Sequence, residues 1–266
     1  MQSFNYVKPA SLADAAAALS GADDGTVLAG GQTLLPTMKA RLAAPSDVVD
    51  LGGIAELKGI SVSGGTVTIG AMTRHADVAG SADVKGAIPA LAALAGGIGD
   101  QAVRNRGTMG GSVANNDPAA DYPAAVLGLG ATVKTTSREI AADDFFTGMF
   151  ETALAEGEIV TSISFPQPEK AAYAKFPNPA SRYAMVGVFV AKTASGVRVA
   201  VTGAGNGGVF RVPAYEAALS ANFSPDAIAD GVVSAADMNS DLHADAEYRA
   251  HLVGVMARRA VAAAAG

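Results

Sequence analysis

The segment Thr26-Val27-Leu28-Ala29-Gly30-Gly31-Gln32-Thr33 predicts the fold of the first part of the chain. Its β-branched and apolar residues at 26–28 predict a short strand. The glycine pair that follows predicts a turn in which the backbone comes close to a ligand and successive N–H groups form a concave anion site. A helix at 34–41 and a strand at 47–51 are predicted next, so we expect a β–α–β arrangement and a small α/β domain.

A second glycine pair lies in Thr108-Met109-Gly110-Gly111-Ser112. Each pair is followed closely by a hydroxyl residue and leads towards a predicted helix. One glycine pair alone is more often an ordinary turn than a ligand site. Two of them in one chain predict a doubled main-chain cradle that binds the two phosphates of one dinucleotide.

Composition excludes several classes of function. The net charge of −6 over 266 residues argues against a nucleic-acid binder, which needs a basic face. We find no apolar run of the ~18 residues that a membrane span needs. Met1 to Tyr6 lacks the pattern of a signal peptide, so we expect a cytoplasmic location, with the inner face of the membrane as an alternative.

The chain contains no cysteine. A disulfide, a thiolate nucleophile and a cysteine-ligated iron–sulfur cluster are therefore excluded. If the chain transfers electrons, it does so with an organic cofactor, and any cluster lies on another polypeptide.

The remaining pattern predicts short strands first and helices later, which is typical of an α+β protein. The strand at 66–71 has Val67 and Ile69 alternating with threonines, as expected when one face is buried. Pro166 to Lys170 is the best boundary candidate. The predicted strands are 57–60, 62–63, 66–71, 131–135, 158–165, 173–176, 184–192 and 197–203. The predicted helices are 12–19 with Ser11 as its cap, 74–79, 87–95, 121–129, 142–146, 213–219, 225–233 and 246–264.

Several segments together resemble the FAD-binding medium subunit of molybdenum hydroxylases, the family of carbon monoxide dehydrogenase and xanthine dehydrogenase. The resemblance covers nearly the whole chain. It is carried by both glycine pairs, by the Asp-Pro-Ala-Ala-Asp run at 117–121 and by further motifs. These segments are 4–9, 28–35, 69–73, 106–121, 144–148 and 258–260.

The resemblance implies a two-subdomain FAD-binding fold of the vanillyl-alcohol-oxidase (PCMH) type. A C-terminal domain of sheet and helices follows it. The expected boundaries are 1–55 for the first FAD-binding subdomain, 56–168 for the second and 169–266 for the C-terminal domain. FAD is expected to be bound non-covalently, so His75 is not expected to bond to the flavin.

The resemblance also implies roles for individual residues. Ala29, Gly30, Gly31, Gln32 and Thr33 would hold the diphosphate through their amides. The second segment would hold the same phosphates and the ribityl side, through Thr108, Gly110, Gly111 and Ser112. Asp121 would accept hydrogen bonds from cofactor hydroxyls. The flavin ring would lie near Val160, Lys175 and Tyr183.

Simpler explanations exist for some of these residues. Asp121 could cap the helix that follows it, and Asp117 could cap a turn. Lys175 could be a solvated charge, and Tyr183 could belong to the core. His243 and His251 have no metal-ligand spacing and are expected on the surface. Arg258 and Arg259 are expected to complement the helix dipole or to meet a partner.

The function that the resemblance implies is electron transfer within an oxidoreductase of several chains. A large molybdopterin-binding subunit and a small iron–sulfur subunit with 2Fe-2S clusters would pass electrons to FAD here, and FAD would reduce a quinone or cytochrome. A dimer of three-chain units is expected. No acid–base residue is assigned to this chain. The alternatives are a stand-alone FAD oxidase of a small alcohol or aldehyde, and a non-catalytic nucleotide-binding scaffold.

Overall fold

The computed structural model describes all 266 residues. The first part of the chain forms a three-stranded sheet in which β3 lies between β1 and β2 and is parallel to both. Ser11 accepts from the Asp14 N–H and caps α1, as predicted. The elements are β1 Asn5–Val7, α1 Leu12–Ser20, β2 Gly25–Leu28, α2 Leu34–Lys39 and β3 Asp47–Asp50. The predicted β–α–β arrangement is therefore confirmed.

The second part of the chain forms a five-stranded antiparallel sheet of order β4-β5-β10-β6-β7. Val67 and Ile69 are fully buried in a large apolar core, so the predicted alternation on β5 is confirmed. The strands of this sheet are β4 Ile60–Ser63, β5 Thr66–Gly70, β6 Thr132–Thr135, β7 Glu139–Ala141 and β10 Val160–Pro166. A separate antiparallel pair is formed by β8 Phe146–Gly148 and β9 Glu151–Thr152. The helices are α3 His75–Gly80, α4 Ala82–Ala87, α5 Pro89–Gly96, α6 Gln101–Arg104, α7 Met109–Asn115, α8 Tyr122–Gly128 and α9 Ala142–Phe145.

The third part of the chain is a four-stranded antiparallel sheet with two helices. Along β12, Val188 and Val190 lie in a core that includes residues of both helices, whereas Phe189 and Ala191 lie in the core of the second part. The elements are β11 Lys170–Pro177, β12 Ala184–Thr193, β13 Gly196–Thr202, β14 Phe210–Arg211, α10 Pro213–Ala221 and α11 Ala246–Ala265. The sheet therefore packs between its own helices and the second part, which explains the continuous apolar run of β12.

Two sequence predictions about local structure are wrong. The strand predicted at 57–60 begins only at Ile60, because Leu57 ends the 3-10 turn Ala55–Leu57, where its side chain is buried and its carbonyl accepts from the Met72 N–H. The predicted helix at 225–233 is only the 3-10 turn Pro225–Ala227. It ends because Ile228 is extended and Gly231 has φ +72°, which a helix cannot continue through.

The molecule is an α+β protein, as predicted. None of its helices is both long enough and apolar enough to cross a bilayer. The cores of the first and second parts are joined by Met72 and Ile159, which pack among residues of the first sheet. The sheets therefore hold the two glycine segments on neighbouring parts of the molecule.

Candidate functional site

The first glycine segment, residues 29–33, joins β2 to α2 and presents a row of free main-chain donors. Gly31 has φ +71°, the left-handed region that glycine adopts without a Cβ penalty. None of the N–H groups of Gly30, Gly31, Gln32 and Thr33 donates to an acceptor in the chain. These successive donors lie on a turn that is half-buried to exposed. Such an arrangement fits an anionic ligand, because it leaves several N–H groups for one acceptor group.

The second glycine segment is the first turn of α7, not the open turn that the sequence predicted. Thr108 is the N-cap, and its Oγ1 accepts from the Gly111 N–H at 3.3 Å. The N–H groups of residues 109, 110 and 112 donate to main-chain carbonyls, two of them at 71 and 73. The main-chain donors of this segment are therefore used inside the protein. The second segment keeps two features for a ligand. One is the Ser112 hydroxyl, which makes no hydrogen bond within the chain, and the other is the backbone of its glycine pair.

The two glycine segments lie directly against each other. A Cβ on Gly30 would overlap the Arg106 carbonyl and the Gly107 Cα. A Cβ on Gly111 would come within 3.3 Å of the Ala29 Cβ. Glycine is needed at Gly30 because two backbones approach closely there, and at Gly111 because the Thr108 and Ala29 side chains lie against its Cα; neither glycine has a positive φ. The structure thus brings together the two glycine segments that are expected from the sequence to bind one dinucleotide.

Asp121 lies in a buried polar cluster formed with the third part of the chain. Its Oδ1 accepts from the Tyr173 hydroxyl at 2.6 Å and from the Lys175 Nζ at 2.9 Å. Lys175 also donates to the Gly97 carbonyl at 2.8 Å and the Arg182 carbonyl at 2.9 Å. Burial raises the pKa of the Asp121 carboxyl, while the Lys175 ammonium and the Tyr173 hydroxyl act to lower it. The ion pair and the hydrogen bond therefore stabilise the carboxylate form.

This cluster rules out two of the simpler explanations and alters one expected role. Asp121 precedes α8 but its side chain caps nothing, and Lys175 is 11% exposed rather than solvated. An ammonium has three N–H donors, and all three of Lys175 are taken. Lys175 therefore has no donor left for a flavin carbonyl and would act on a flavin only through its charge. In contrast, Asp121 Oδ2 accepts from no group of the protein.

Val160 and Tyr183 are distant in the sequence from the glycine segments, and their structural environments differ. Val160 is on β10, and its side chain is buried in the apolar core of the second part. Only its main chain is left to meet a ligand. Tyr183 is half-buried on the connection from β11 to β12, and its hydroxyl accepts from Asn178 Nδ2 at 3.1 Å. Its ring meets the edge of His243 at 6.3 Å between centroids, so it lies outside the main cores.

Two buried polar residues that sequence reasoning did not assign to the site, His75 and Tyr122, lie close behind the glycine segments. His75 lies against Gly107, where a Cβ would overlap its Nε2, and its ring is 5.3 Å from that of Tyr122. The His75 Nδ1 and the Tyr122 hydroxyl are buried without a hydrogen-bond partner. Burial, aided by the positive charge of Arg104, lowers the pKa of His75 to about 4. His75 is therefore a neutral imidazole at neutral pH.

Other polar residues have structural roles. Asp117 accepts from the Ala119 N–H at 2.8 Å and caps a turn, as one alternative predicted. Arg258 does not lie in the last turn of α11, and it donates to Ile228 and Asp230 in the loop after α10. His243 and His251 are exposed, and no group of His, Cys, Asp and Glu could hold a metal ion.

Taken together, these residues fit a dinucleotide cofactor. The free amides of the first segment suit a diphosphate, and the second glycine segment packs directly against them. Asp121 adds a carboxylate oxygen that suits a sugar or ribityl hydroxyl. Helix α7 has seven residues and joins the second segment to the 117–121 run, so the two lie about 10 Å apart along its axis.

Comparison with known proteins identifies related chains. A family model described as "FAD binding domain in molybdopterin dehydrogenase" matches residues 2–168. The nicotine 6-hydroxylase medium subunit of Paenarthrobacter nicotinovorans is 37% identical over 98% of this chain and 97% of its own. The carbon monoxide dehydrogenase medium chain of Hydrogenophaga pseudoflava is 35% identical over 98% and 96%.

Solved structures show the same architecture. A chain of carbon monoxide dehydrogenase from Hydrogenophaga pseudoflava superposes with a TM-score of 0.92 at 36% identity, over 99% of this chain and 97% of that one. A chain of quinoline 2-oxidoreductase from Pseudomonas putida 86 gives 0.90 at 29% identity, over 99% and 97%. The similarity therefore extends through all three parts of the molecule.

Proposed function

This chain belongs to the family with the FAD-binding domain of molybdopterin dehydrogenases, and from that premise we propose that it is the FAD-binding, electron-transferring medium subunit of a molybdenum hydroxylase. The observation that carries the proposal is the row of free amides at residues 30–33, packed against the second glycine segment. The full-length similarity to subunits of carbon monoxide dehydrogenase and nicotine 6-hydroxylase supports it.

Different residues of the site would bind different parts of the cofactor. Residues 29–33 would bind the diphosphate through their amides, and the second segment would add hydroxyl groups and close backbone contact. Asp121 would accept from a cofactor hydroxyl through Oδ2, while Val160, Lys175 and Tyr183 would border the flavin ring. FAD, when bound, supplies the redox chemistry by exchanging electrons in ones or twos, and the protein supplies position and electrostatic field.

The partners in this proposal follow from the similarity to medium subunits of larger complexes. Without cysteine, it holds no iron–sulfur cluster, so 2Fe-2S clusters would lie on a small subunit. The molybdenum cofactor would lie on a large subunit, which would select the reducing substrate. We place the complex in the cytoplasm as a dimer of three-chain units, with a quinone or cytochrome as acceptor.

We also propose that the chain divides into units 1–55, 56–168 and 169–266. Each of these ranges contains one of the three larger sheets. The family model ends at residue 168, which supports the second boundary. Limited proteolysis that cuts near 168 and releases a stable C-terminal fragment would support this division. Cuts confined to the interior of the sheets would count against it.

A spectrum of the purified full-length chain tests the proposed function. We expect flavin absorbance with FAD released on denaturation, whereas a scaffold subunit would be colourless. Dye reduction by the chain alone and by the chain co-expressed with large and small subunits separates electron transfer from an independent oxidase. Substrate-dependent reduction by the isolated chain would contradict the proposal.

A further inference from the structure

Strand β11 places two side chains on the same buried carboxylate. Tyr173 and Lys175 are two residues apart, so they point to one face of the strand. Both donate to Asp121 Oδ1, at 2.6 and 2.9 Å. The Asp121 side chain is 4% exposed, and Oδ2 receives no donor from the protein. The two donors thus fix one carboxylate oxygen and leave the other free.

The neighbouring strand leaves space for the tyrosine hydroxyl. Gly187 on β12 pairs with Lys175, and a Cβ at Gly187 would overlap the Tyr173 hydroxyl. The ring of Tyr173 stacks on Phe189 of the same strand, with centroids 6.3 Å apart. Stacking on one side and a glycine on the other determine where the hydroxyl lies.

The main chain before Asp121 is also held by the third part of the chain. The Pro118 carbonyl accepts from the Gly203 N–H at 2.7 Å, and the Ala119 carbonyl accepts from the Ala184 N–H at 3.3 Å. The Thr202 hydroxyl donates to the Ala120 carbonyl at 2.6 Å. Both the backbone and the side chain of Asp121 are therefore positioned by the C-terminal sheet.

We propose that Tyr173 is a positioning residue for the cofactor: its hydroxyl holds Asp121 by Oδ1 so that Oδ2 accepts from a hydroxyl of the ribityl or ribose portion. This inference rests on the proposed function, since it requires FAD in the site. It extends that function to a residue of the C-terminal sheet that touches no cofactor. Gly187 contributes to the same arrangement, because its lack of a side chain leaves space for the Tyr173 hydroxyl.

The arrangement has a consequence for pH. The groups that face the Asp121 carboxylate are Lys175 and Tyr173 on β11 and Tyr122 on α8. Donation from Tyr173 favours the ionised carboxylate, so its removal raises the pKa of Asp121 further. Without this hydroxyl, protonation of Asp121, and with it the loss of FAD affinity, should begin at a higher pH as the solution is acidified.

The test compares FAD binding by the full-length chain and its variants. Tyr173→Phe should raise the Kd for FAD by about tenfold, as expected when a charge-assisted hydrogen bond is lost. It should also move the acid limb of the affinity–pH profile upward. The control is Tyr215→Phe, which removes a buried hydroxyl that donates to the Ala229 carbonyl in the C-terminal core. Equal FAD affinity and equal pH profiles in the two variants would overturn the proposal.

A second variant displaces the hydroxyl without removing it. Gly187→Ala should reproduce the loss of affinity and the altered pH profile, whereas Gly207→Ala has no atom near its new Cβ and should leave both unchanged. Failure of Gly187→Ala to reproduce either change would also count against the proposal. If the wild-type chain binds no FAD, the proposed function fails. If the wild type binds FAD and Tyr173→Phe binds it equally, only the positioning role fails.

Discussion

Two adjacent glycines in the first segment meet different physical requirements. Gly31 needs its positive φ of +71°, which turns the chain from β2 towards α2. Gly30 has an ordinary φ, but its Cα faces the backbone of Arg106 and Gly107. A side chain at Gly30 would therefore separate the two segments, whereas one at Gly31 would strain the turn itself.

Replacement of Gly30 by alanine should abolish FAD loading. The new Cβ would overlap rigid backbone and push the glycine segments apart, at a cost of about 1–3 kcal/mol in stability. Flavin absorbance per protein and the melting temperature measure these effects. Gly86→Ala is the matched control, because its Cβ meets nothing in α4 and should leave FAD loading intact. Stoichiometric FAD in both variants would contradict the assigned site.

His75 should make the stability of the molecule depend on pH. Its folded pKa of about 4 lies below the unfolded value near 6.5, so the unfolded chain binds the proton first. Its contribution is complete above pH ~6.5 and declines as the pH falls towards 4. Melting temperatures between pH 7 and pH 4 should fall less steeply in His75→Asn than in the wild type. The exposed His251→Asn should match the wild type, and parallel curves for all three proteins would refute this.

At the level of elements, α7 connects the glycine site to a distant hairpin. Its first turn is the second glycine segment, and Asn116 ends it in the left-handed region with φ +43°. Asn116 Nδ2 donates to the Gly148 and Glu151 carbonyls at 2.8 and 2.9 Å. Asparagine tolerates this conformation better than most residues, and its amide fixes the turn between β8 and β9.

Helix α11 is held to the C-terminal sheet by one buried cation. Arg249 donates to the Met185 and Gly203 carbonyls at 2.6 and 3.0 Å and pairs with Asp241 at 2.7 Å. Arg249→Leu should destabilise the molecule by about 1–3 kcal/mol, because it leaves the buried Met185 and Gly203 carbonyls without partners. Thermal or denaturant unfolding measures this. The exposed Arg259→Leu on the same helix should change stability little, and similar losses in both variants would argue against a special role for Arg249.

For the whole molecule, FAD binding should be coupled to stability. The glycine segments belong to the first and second parts of the chain, and Asp121 is held by the sheet of the third part, so a ligand that touches all of them favours the folded chain. At a free concentration of 100 times its Kd, FAD should add about 2.7 kcal/mol to the stability of the apo-protein.

A thermal-shift series separates the parts of the cofactor that contribute. FAD and ADP, which carry the diphosphate, should raise the melting temperature, whereas riboflavin should raise it much less. An equal shift with riboflavin would show that the free amides of the first segment do not bind phosphate. The Gly30→Ala variant serves as the control, since it should respond to none of the three.

Sequence patterns were sufficient to predict many of the local elements and to identify the family. The alternation of apolar and polar residues at 66–70 correctly predicted strand β5, because it depends on the burial of one face. Ser11 correctly predicted the start of α1, because an N-cap depends on neighbouring residues. The glycine pairs identified the two segments, and the absence of cysteine excluded clusters. The helix predicted at 225–233 was wrong, because Gly231 has a positive φ, which a helix cannot continue through.

The pairing of polar donors with acceptors became known only from the packed fold. The second glycine pair uses its amides within the protein, because residues 71 and 73 supply carbonyls to it. Asp121 meets Tyr173 and Lys175, and Lys175 thereby loses its free donors. Local sequence encodes backbone preference and burial. Which donor meets which acceptor across distant parts of the chain is settled only when the sheets pack together.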